Sequence, residues 1–313
     1  MEDIVKISIV STLYRSAQFI DEFYRRMKEN VKKHTDSFEI IFVDDGSPDN
    51  SNYLVQQLVK KDSRVILVEL SRNFGHHHAI MAGLSHATGD LVFLIDSDLE
   101  EQPEWISLFL EHLNKDKVDV VFGIQRQRVG GWFRKYTGNC FYTLFNSLSD
   151  IKIPNNPCTV RLMTRNYVES LLNLKESNLF LAGNFAWAGF RQKSVVVDKL
   201  ECTKRRSNYN LVRLIKLFFN AVTSFSSYPL IIVFITGLVL SLLAGLFGIQ
   251  ILINKILYPE AFQLGYSSIM ISIWFLGGLI ILFVGVVGLY LSKVFNEVKS
   301  RPQFIIRKVY RGE

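Results

Sequence analysis

Two aspartates separated by one residue, Asp96 and Asp98, follow an apolar run that is typical of a buried strand. Carboxylates at this spacing, placed where a strand gives way to a loop, can share one hard cation. Mg²⁺ is usually held by one or two carboxylates and completed by substrate phosphate oxygens. A nucleotide sugar supplies a diphosphate, and the metal would neutralise the charge that develops on the departing nucleotide diphosphate. A solvent-exposed acidic loop is the alternative, but the strand position and the adjacent Glu100 and Glu101 favour the metal site.

A second acidic pair, Asp44 and Asp45, follows another apolar run in the segment VDDGSPDNS. Gly46 and Pro48 make a turn the simplest interpretation, because aspartate, glycine and proline are common turn residues. Asp44 lies at the tip of the predicted strand, so it also suits hydrogen bonding to the base or ribose of a nucleotide. The two interpretations are compatible, and the sequence leaves both open.

The histidines and cysteines do not form a recognisable metal-binding pattern. His76, His77 and His78 are consecutive, and neighbouring helix residues point about 100° apart, so their rings do not converge on one ion. We expect them to open a helix after Gly75, with one ring near a phosphate group. The three cysteines are widely spaced and contain no CxxC pair, which indicates reduced thiols in a domain that faces the cytoplasm.

Short apolar runs alternate with stretches of helical periodicity in the first part of the chain, which predicts an α/β domain. Unbroken apolar strands indicate a sheet covered on both faces, and the strand–helix–strand order indicates mostly parallel strands. Such sheets bind ligands at the carboxyl ends of their strands, where both acidic segments lie. The predicted strands are Lys6–Ser11, Phe38–Val43, Val65–Glu69, Leu91–Ile95 and Val118–Phe122, and the predicted helices are Ala17–Lys33, Asp49–Lys61, His76–Ala87 and Pro103–Asn114.

Two long apolar segments, Leu230–Ile253 and Ile269–Leu291, contain no charged residue. At 1.5 Å per residue each reaches roughly 35 Å, which is enough to cross a hydrocarbon core of about 30 Å. Buried core helices are the alternative, but soluble helices are seldom apolar on all sides over such a length. Basic residues concentrate in residues 199–216 and 292–313, on either side of the pair. We therefore expect a transmembrane hairpin in the cytoplasmic membrane, with both flanks cytoplasmic and the connecting loop outside.

The net charge of +7 does not indicate nucleic-acid binding. Residues 1–198 hold 23 basic and 25 acidic residues, so the excess charge comes from the stretches beside the apolar segments. A nucleic-acid-binding domain would carry a basic surface of its own. The predicted parts are a cytoplasmic domain (1–210), an interfacial amphipathic helix (211–228), two transmembrane helices (229–292, with spans 230–253 and 269–291) and a basic cytoplasmic tail (293–313). The alternative for the interfacial helix is the first turns of the span.

A series of short motifs runs along nearly the whole chain: VDDGS (43–47), SRNFG (71–75), AGL (82–84), GDLVFLIDSDLEEQPE (89–104), FY (141–142), RLMTR (161–165) and AGNFAW (182–187). In order and spacing the series resembles the polyisoprenyl-phosphate glycosyltransferases, inverting enzymes with the GT-A fold. The resemblance implies a nucleotide-sugar donor, a Mg²⁺ or Mn²⁺ ion, a polyprenyl phosphate acceptor of the undecaprenyl or dolichyl type, and a homotetramer. It favours UDP-glucose or a related UDP-hexose as donor, with GDP-mannose second.

The same resemblance assigns roles to individual residues. Asp96 and Asp98 match the metal and diphosphate ligands, and Glu100 stands where the family usually has glutamine, so it adds a more negative metal ligand. Asp44 matches the base or ribose ligand. The other positions implied for the nucleotide sugar are Thr12, Tyr14 and Ser97, and those implied for the acceptor and its phosphate are Arg128, Lys135, Ser207 and Tyr209.

Thr159 departs from the family pattern. The family's loop usually reads GDFRLM, with the aspartate proposed as catalytic base, whereas this chain reads CTVRLM. Threonine is no base at neutral pH, but a phosphate monoester, whose second pKa is about 6, is already largely dianionic there. We therefore expect a catalytic set of Asp98, Arg161 and Thr159, with Arg161 positioning the phosphate. The alternatives are that Asp150 substitutes as the base, or that the acceptor or the activity differs.

Two other functions compete with a single-sugar transferase. A processive polysaccharide synthase would need more spans and a QxxRW motif, and the sequence contains neither. A non-catalytic membrane scaffold built on a decayed transferase domain would explain Thr159. The retention of Asp44, Asp96 and Asp98 argues against that scaffold.

Overall fold

The computed structural model describes residues 5–126, 143, 146–147, 152–154, 156–176, 179–199, 226, 228–257 and 265–312. Within these residues, eight strands form one sheet. The strands are β1 (Ile7–Leu13), β2 (Phe38–Asp44), β3 (Val65–Leu70), β4 (Leu91–Leu94), β5 (Val120–Gln125), β6 (Pro157–Thr164), β7 (Gln192–Val197) and β8 (Ile306–Arg311). The described helices are α1 (Ile20–Val31), α2 (Ser51–Lys61), α3 (His76–His86), α4 (Trp105–Asp116), α5 (Arg165–Leu172), α6 (Leu181–Trp187), α7 (Tyr228–Leu257) and α8 (Tyr266–Val298).

The strand order in the sheet is β7-β5-β6-β4-β1-β2-β3-β8. Strand β1 pairs in parallel with β2 and β4, β2 pairs in parallel with β3, and β5 pairs in parallel with β7. Strands β6 and β8 are the antiparallel members, β6 between β4 and β5, and β8 at the edge beside β3. The predicted α/β class with a mostly parallel sheet is confirmed. Strands β6, β7 and β8 were not predicted from the sequence.

Apolar clusters on both faces of the sheet explain why its central strands are unbroken apolar runs. Neighbouring residues of one strand serve different clusters: Ile40 packs with helices α1, α2 and α4, whereas Ile41 packs with α3 and α5. Gly83 lets α3 lie directly on the sheet, because a Cβ there would lie 2.4 Å from the Val10 Cγ1 atom. This close packing holds α3 against β1 and β2, and α3 begins with His76 at the carboxyl end of the sheet.

Helices α7 and α8 extend over both predicted membrane spans. Within α8, Phe275–Val298 has a mean hydropathy of 2.4, and its most apolar stretch is not buried by the rest of the protein. This segment is long and apolar enough to cross a membrane. In the described part of α7, Tyr228–Leu240 forms a shorter apolar segment. The predicted interfacial helix, 211–228, lies outside the described residues except for residues 226 and 228.

The basic C-terminal segment returns to the sheet as strand β8. It pairs with β3, and the Ile305 carbonyl accepts a hydrogen bond of 2.9 Å from the Ser71 amide. Glu69 accepts hydrogen bonds from Arg307 Nη1 at 3.0 Å and from the Tyr310 hydroxyl at 3.1 Å. A strand with exposed basic residues at the edge of a sheet protects that edge against pairing with other chains. The segment after the last apolar helix is therefore part of the α/β domain.

We expect Val309→Asp to destabilise the domain, because Val309 is half-buried against the apolar cluster that also contains α3. Burying a carboxylate there should lower the free energy of unfolding by about 1–3 kcal/mol. Thermal unfolding of the purified full-length protein, followed by intrinsic fluorescence, measures the change. The adjacent exposed Lys308→Asp is the control, and equal melting temperatures for the two variants would show that β8 is not packed on the sheet.

Candidate active site

The loop after β4 is tied to the end of β1, so the predicted DxD motif lies at the carboxyl edge of the sheet. The Ile95 amide donates a hydrogen bond of 3.0 Å to the Val10 carbonyl, which continues the parallel pairing of β1 and β4. Immediately beyond it, the Ser97 hydroxyl donates a hydrogen bond of 2.9 Å to the Thr12 carbonyl. Two of the residues predicted to bind the nucleotide sugar, Thr12 and Ser97, are thus in direct contact, and Asp96 lies beside them.

His76, at the start of α3, joins this group. Its Nδ1 atom lies 3.0 Å from the Thr12 hydroxyl, and its Nε2 atom lies 3.6 Å from Asp96 Oδ1. The His77 Nδ1 atom lies 3.1 Å from the Leu179 carbonyl instead. The consecutive histidines therefore point to different surroundings, and His76 is the one that reaches the DxD motif. Burial lowers the pKa of His76, although the negative charges of nearby carboxylates oppose this shift.

Asp96 is the residue of the motif whose negative charge is least favourable. Burial, together with the negative charges of Asp98 and Glu100, raises the pKa of Asp96 to about 6, although Lys199 and a hydrogen bond from the Thr159 side chain oppose the shift. A divalent cation would relieve this repulsion. Among the described residues, no three His, Cys, Asp or Glu side chains converge on one point. Two carboxylates completed by substrate phosphate oxygens are, however, a usual set for Mg²⁺, and Asp96 and Asp98 fit it.

Glu101 is the buried residue that connects the motif to the other half of the sheet. It is completely inaccessible to solvent and accepts hydrogen bonds from the Thr159 amide at 3.0 Å and the Asp96 amide at 3.3 Å. The Lys199 ammonium lies 2.9 Å from its Oε1 atom. Burial and the charge of Asp96 raise the pKa of Glu101, and Lys199 opposes this shift. Glu101 therefore joins the loop after β4 to strand β6 and to the residues that follow β7.

Thr159 and Arg161 lie on β6 but have different surroundings. The Thr159 side chain lies near Asp96 and lowers the pKa of that carboxyl, and the Thr159 amide donates a hydrogen bond of 3.0 Å to Glu101 Oε1. Arg161 is 4 % exposed, its Nε donates to the Thr159 carbonyl at 3.1 Å, and its guanidinium carbon lies 3.3 Å from the centre of the Phe185 ring. Burial lowers the pKa of Arg161 to about 10. The structure brings Thr159 to the DxD motif, whereas it buries the Arg161 head against the Phe185 ring, and the positioning of a phosphate by Arg161 stays a prediction.

The acidic pair after β2 forms the predicted turn. Asp44 is buried and accepts hydrogen bonds from the Ser47 amide at 3.0 Å and from Asn52 Nδ2 at 2.8 Å. Asp45 accepts hydrogen bonds from the Phe74 and Gly75 amides, at 2.7 and 3.0 Å, and so fixes the loop that leads into α3. The turn interpretation is confirmed by these contacts, and the binding of a base or ribose by Asp44 stays a prediction.

Of the other predicted residues, Tyr14 and Glu100 lie at this edge, and the rest lie outside the described part. Tyr14 follows β1 and is 40 % exposed, with the Arg15 guanidinium 5.6 Å from its ring centre. Glu100 donates its amide to Asp98 Oδ1 at 3.2 Å. The residues outside the described ranges are Arg128, Lys135, Asp150, Ser207 and Tyr209.

Sequence reasoning missed the roles of Glu101 and Lys199, and it expected one of the three histidine rings near a phosphate without identifying His76 as that residue. In the sequence, Glu101 stands in an acidic run and Lys199 stands in a basic flank. Nothing local distinguishes the one buried carboxylate from its three acidic neighbours. Its partner lies about a hundred positions away in the chain, so no short sequence pattern joins the two. The position of His76 directly after the strand–loop unit of β3 was the one signal that could have identified it, because such positions lie at the ligand-binding edge.

The profile of a family described as "Glycosyl transferase family 2" matches residues 8–172, which is slightly more than half of the chain. A Mycobacterium tuberculosis protein named among the glycosyltransferases is 44 % identical over 309 residues, covering 99 % of this chain and 90 % of that protein. The SfII prophage-derived bactoprenol glucosyl transferase of Shigella flexneri is 34 % identical over 309 residues, covering 98 % of this chain and 99 % of that protein.

Solved structures with a similar fold include glucosyl-3-phosphoglycerate synthase from Mycobacterium tuberculosis, in complex with Mn²⁺, UDP-glucose and phosphoglyceric acid. It is 18 % identical, with a TM-score of 0.47, and the match covers 70 % of this chain and 78 % of that chain. The mannosyltransferase PcManGT from Pyrobaculum calidifontis, in complex with GDP-mannose and Mn²⁺, is 20 % identical with a TM-score of 0.46, covering 66 % and 59 %. We draw no functional conclusion from either likeness.

We expect Glu101 and Lys199 to be energetically coupled, because each compensates the buried charge of the other. Either Glu101→Gln or Lys199→Met should lower the free energy of unfolding by roughly 3 kcal/mol, since a buried charge is left without its partner. The double variant should lose clearly less than the sum of the two single variants. Denaturation of the four full-length proteins completes the double-mutant cycle, and strictly additive losses would show that the pair does not act as a unit.

Proposed function

Because the chain belongs to glycosyl transferase family 2, and is therefore a glycosyltransferase, we propose that it transfers one glucose residue from UDP-glucose to polyprenyl phosphate. The observation that carries the proposal is the match to a bactoprenol glucosyl transferase over 98 % of this chain. That match extends beyond the α/β domain into the apolar helices, so it includes the part that would meet a lipid acceptor. A related UDP-hexose, and then GDP-mannose, is the next choice of donor.

In this proposal Asp96 and Asp98 would hold a Mg²⁺ or Mn²⁺ ion together with the donor diphosphate. Glu100 does not converge on one point with them, so it would add negative charge beside the ion rather than a third ligand. The metal supplies neutralisation of the charge that develops on the leaving nucleotide diphosphate. The protein keeps Asp96 in place through Glu101 and Thr159, whose contacts with it are fixed by the fold. The other proposed donor-binding side chains are Thr12, Tyr14, Asp44 and Ser97.

The acceptor attacks without help from a protein base in this proposal. An oxygen of the polyprenyl phosphate forms a bond to the anomeric carbon as the bond from that carbon to the donor diphosphate breaks, with inversion. The second pKa of a phosphate monoester is about 6, so the attacking group is already a dianion at neutral pH. Thr159 then has no proton to remove, and its contact with Asp96 supports the donor site instead. Positions proposed to bind the acceptor phosphate are Arg128, Lys135, Ser207 and Tyr209.

A membrane hairpin is the topology that best fits the return of the chain to its own sheet. Strand β8 follows α8 and pairs with β3 of the α/β domain. If α8 crosses the membrane, the chain must cross an even number of times between β7 and β8, and α7 supplies the second crossing. In this proposal the domain lies on the cytoplasmic side, because basic residues concentrate in both flanks of the apolar segments. The homotetramer that the family resemblance implies stays a prediction.

A panel assay tests the transfer reaction itself. Purified full-length protein is incubated with undecaprenyl phosphate, Mg²⁺ or Mn²⁺, and each of several radiolabelled nucleotide sugars, and the lipid fraction is extracted. We expect a lipid-linked glucose product with UDP-glucose. Lipid-linked product with another UDP-hexose or with GDP-mannose would correct the donor. The absence of lipid-linked sugar with every donor would contradict the proposal.

We expect the pH dependence of transfer to follow the acceptor. If the dianion attacks directly, kcat/KM should rise with pH through roughly 6 and then level off, because the acceptor phosphate is almost entirely dianionic above its second pKa. Thr159→Val removes the hydroxyl at constant shape and should cost no more than about 0.5–1.5 kcal/mol, or up to about tenfold in kcat/KM. A loss on the order of a hundredfold in Asp150→Asn would instead identify a protein base.

We expect the segment between α7 and α8 to be exposed on the outer face. A single cysteine at Gln263, in a protein without its native cysteines, should react with an impermeant maleimide added to the outside of intact cells. A cysteine at Lys308 in β8 is the control and should react only after the membrane is opened. Labelling of both positions from the same side would contradict the hairpin.

A further inference from the structure

A cavity of about 270 Å³ lies between the C-terminal end of α8 and the loop that leads into α3. Its lining includes Arg72 and His78 from the α/β domain, and Lys299, Arg301 and Gln303 from the segment that connects α8 to β8. We propose that this cavity binds the phosphate headgroup of an anionic membrane phospholipid. Such a site would be separate from the donor edge at Asp96 and Asp98.

The charge of the lining fits a phosphate. Arg72, Lys299 and Arg301 are basic side chains, and the described residues that line the cavity include no acidic side chain. The His78 Nδ1 atom is buried and has no hydrogen-bond partner among the described residues, so a ligand oxygen could satisfy it. Arginine binds phosphate oxygens through several N–H groups at once, which suits a site with two arginines.

The cavity lies where a lipid headgroup would be found. The candidate membrane span ends at Val298, and the lining residues Lys299 and Arg301 follow it directly. Basic residues at this depth are attracted to the anionic surface of the cytoplasmic leaflet. Phe295 and Val298, on the last turn of α8, are 57 % and 75 % exposed and could contact the acyl chains. A phospholipid can therefore meet cations and apolar surface at the same place.

The walls of the cavity are held to the α/β domain. Gln303 Nε2 donates hydrogen bonds to the carbonyls of Leu174 and Glu176, at 3.2 and 2.9 Å, so the segment after α8 is fixed in place. On the other wall, the Arg72 guanidinium stacks 4.0 Å from the Phe74 ring centre. The loop 71–75 continues into α3, and Asp45 anchors it through the Phe74 amide. A headgroup bound here would bridge α8 and the loop that positions His76.

Lipid retention by the full-length protein tests the site without any donor or acceptor. The protein is reconstituted into phosphatidylcholine membranes with and without phosphatidylglycerol, re-extracted, and examined by native mass spectrometry. We expect retained phosphatidylglycerol on the wild-type protein. The double variant Arg72→Gln/Arg301→Gln should retain at least about tenfold less phosphatidylglycerol than the wild type, because charge-assisted hydrogen bonds are lost. Arg191→Gln, an exposed arginine beside the opposite edge strand, is the matched control and should retain the wild-type amount.

Two further arms identify the source of the phosphate. Excess inorganic phosphate should not displace phosphatidylglycerol, and displacement by it would indicate a site for free anions. Displacement by undecaprenyl phosphate at equimolar amounts would assign the cavity to the acceptor and overturn the proposal. Equal retention by the double variant and the wild type would also overturn it. If the double variant does not fold, Lys299→Gln is measured in its place. Because no sugar transfer is measured, failure here is distinct from failure of the proposed reaction.

Discussion

Crowding of negative charge at the end of β4 is the constraint on which the site depends. Asp96, Asp98, Glu100 and Glu101 lie within six consecutive residues, and burial together with mutual repulsion raises the pKa of Asp96 to about 6. The fold compensates only part of this charge, mainly through Lys199. Strands β6 and β7 position the residues that provide this compensation. Thr159 lies on β6, and Lys199 lies two residues after β7. A divalent cation would neutralise the remaining repulsion and could then bind a diphosphate.

The strands that could be predicted from the sequence are those whose apolar residues are also the buried ones. Strands β1 to β5 are buried between two layers of helices or beside them, so their apolar runs are visible without the structure. Strand β6 carries the buried Arg161, and β8 carries three basic residues, so neither has an apolar run. In addition, β8 follows the apolar helices, and its pairing with β3 joins residues about 240 positions apart. No local pattern encodes that contact.

The site was predicted to a similar degree. The aspartates at strand ends were found because parallel strands place their carboxyl ends at one edge, and Thr12 and Ser97 do contact each other there. The partnership of Glu101 with Lys199 was not found, because it is a long-range contact between residues that look like a solvated acidic loop and a basic flank. Arg161 matched a family motif, but its head is stacked on Phe185 inside the domain. A motif identifies the position of a residue in the chain, whereas the direction of its side chain depends on packing.

Metal-dependent binding of UDP tests the central claim most directly, because the claim is that the crowded carboxylates bind a diphosphate through a divalent cation. Calorimetric titration of the full-length protein with UDP should show binding in the presence of Mg²⁺ or Mn²⁺ and a large loss in EDTA. Asp98→Asn should abolish the metal-dependent part, whereas the exposed Asp21→Asn should bind as the wild type does. Equal UDP affinity with metal and with EDTA would contradict the account.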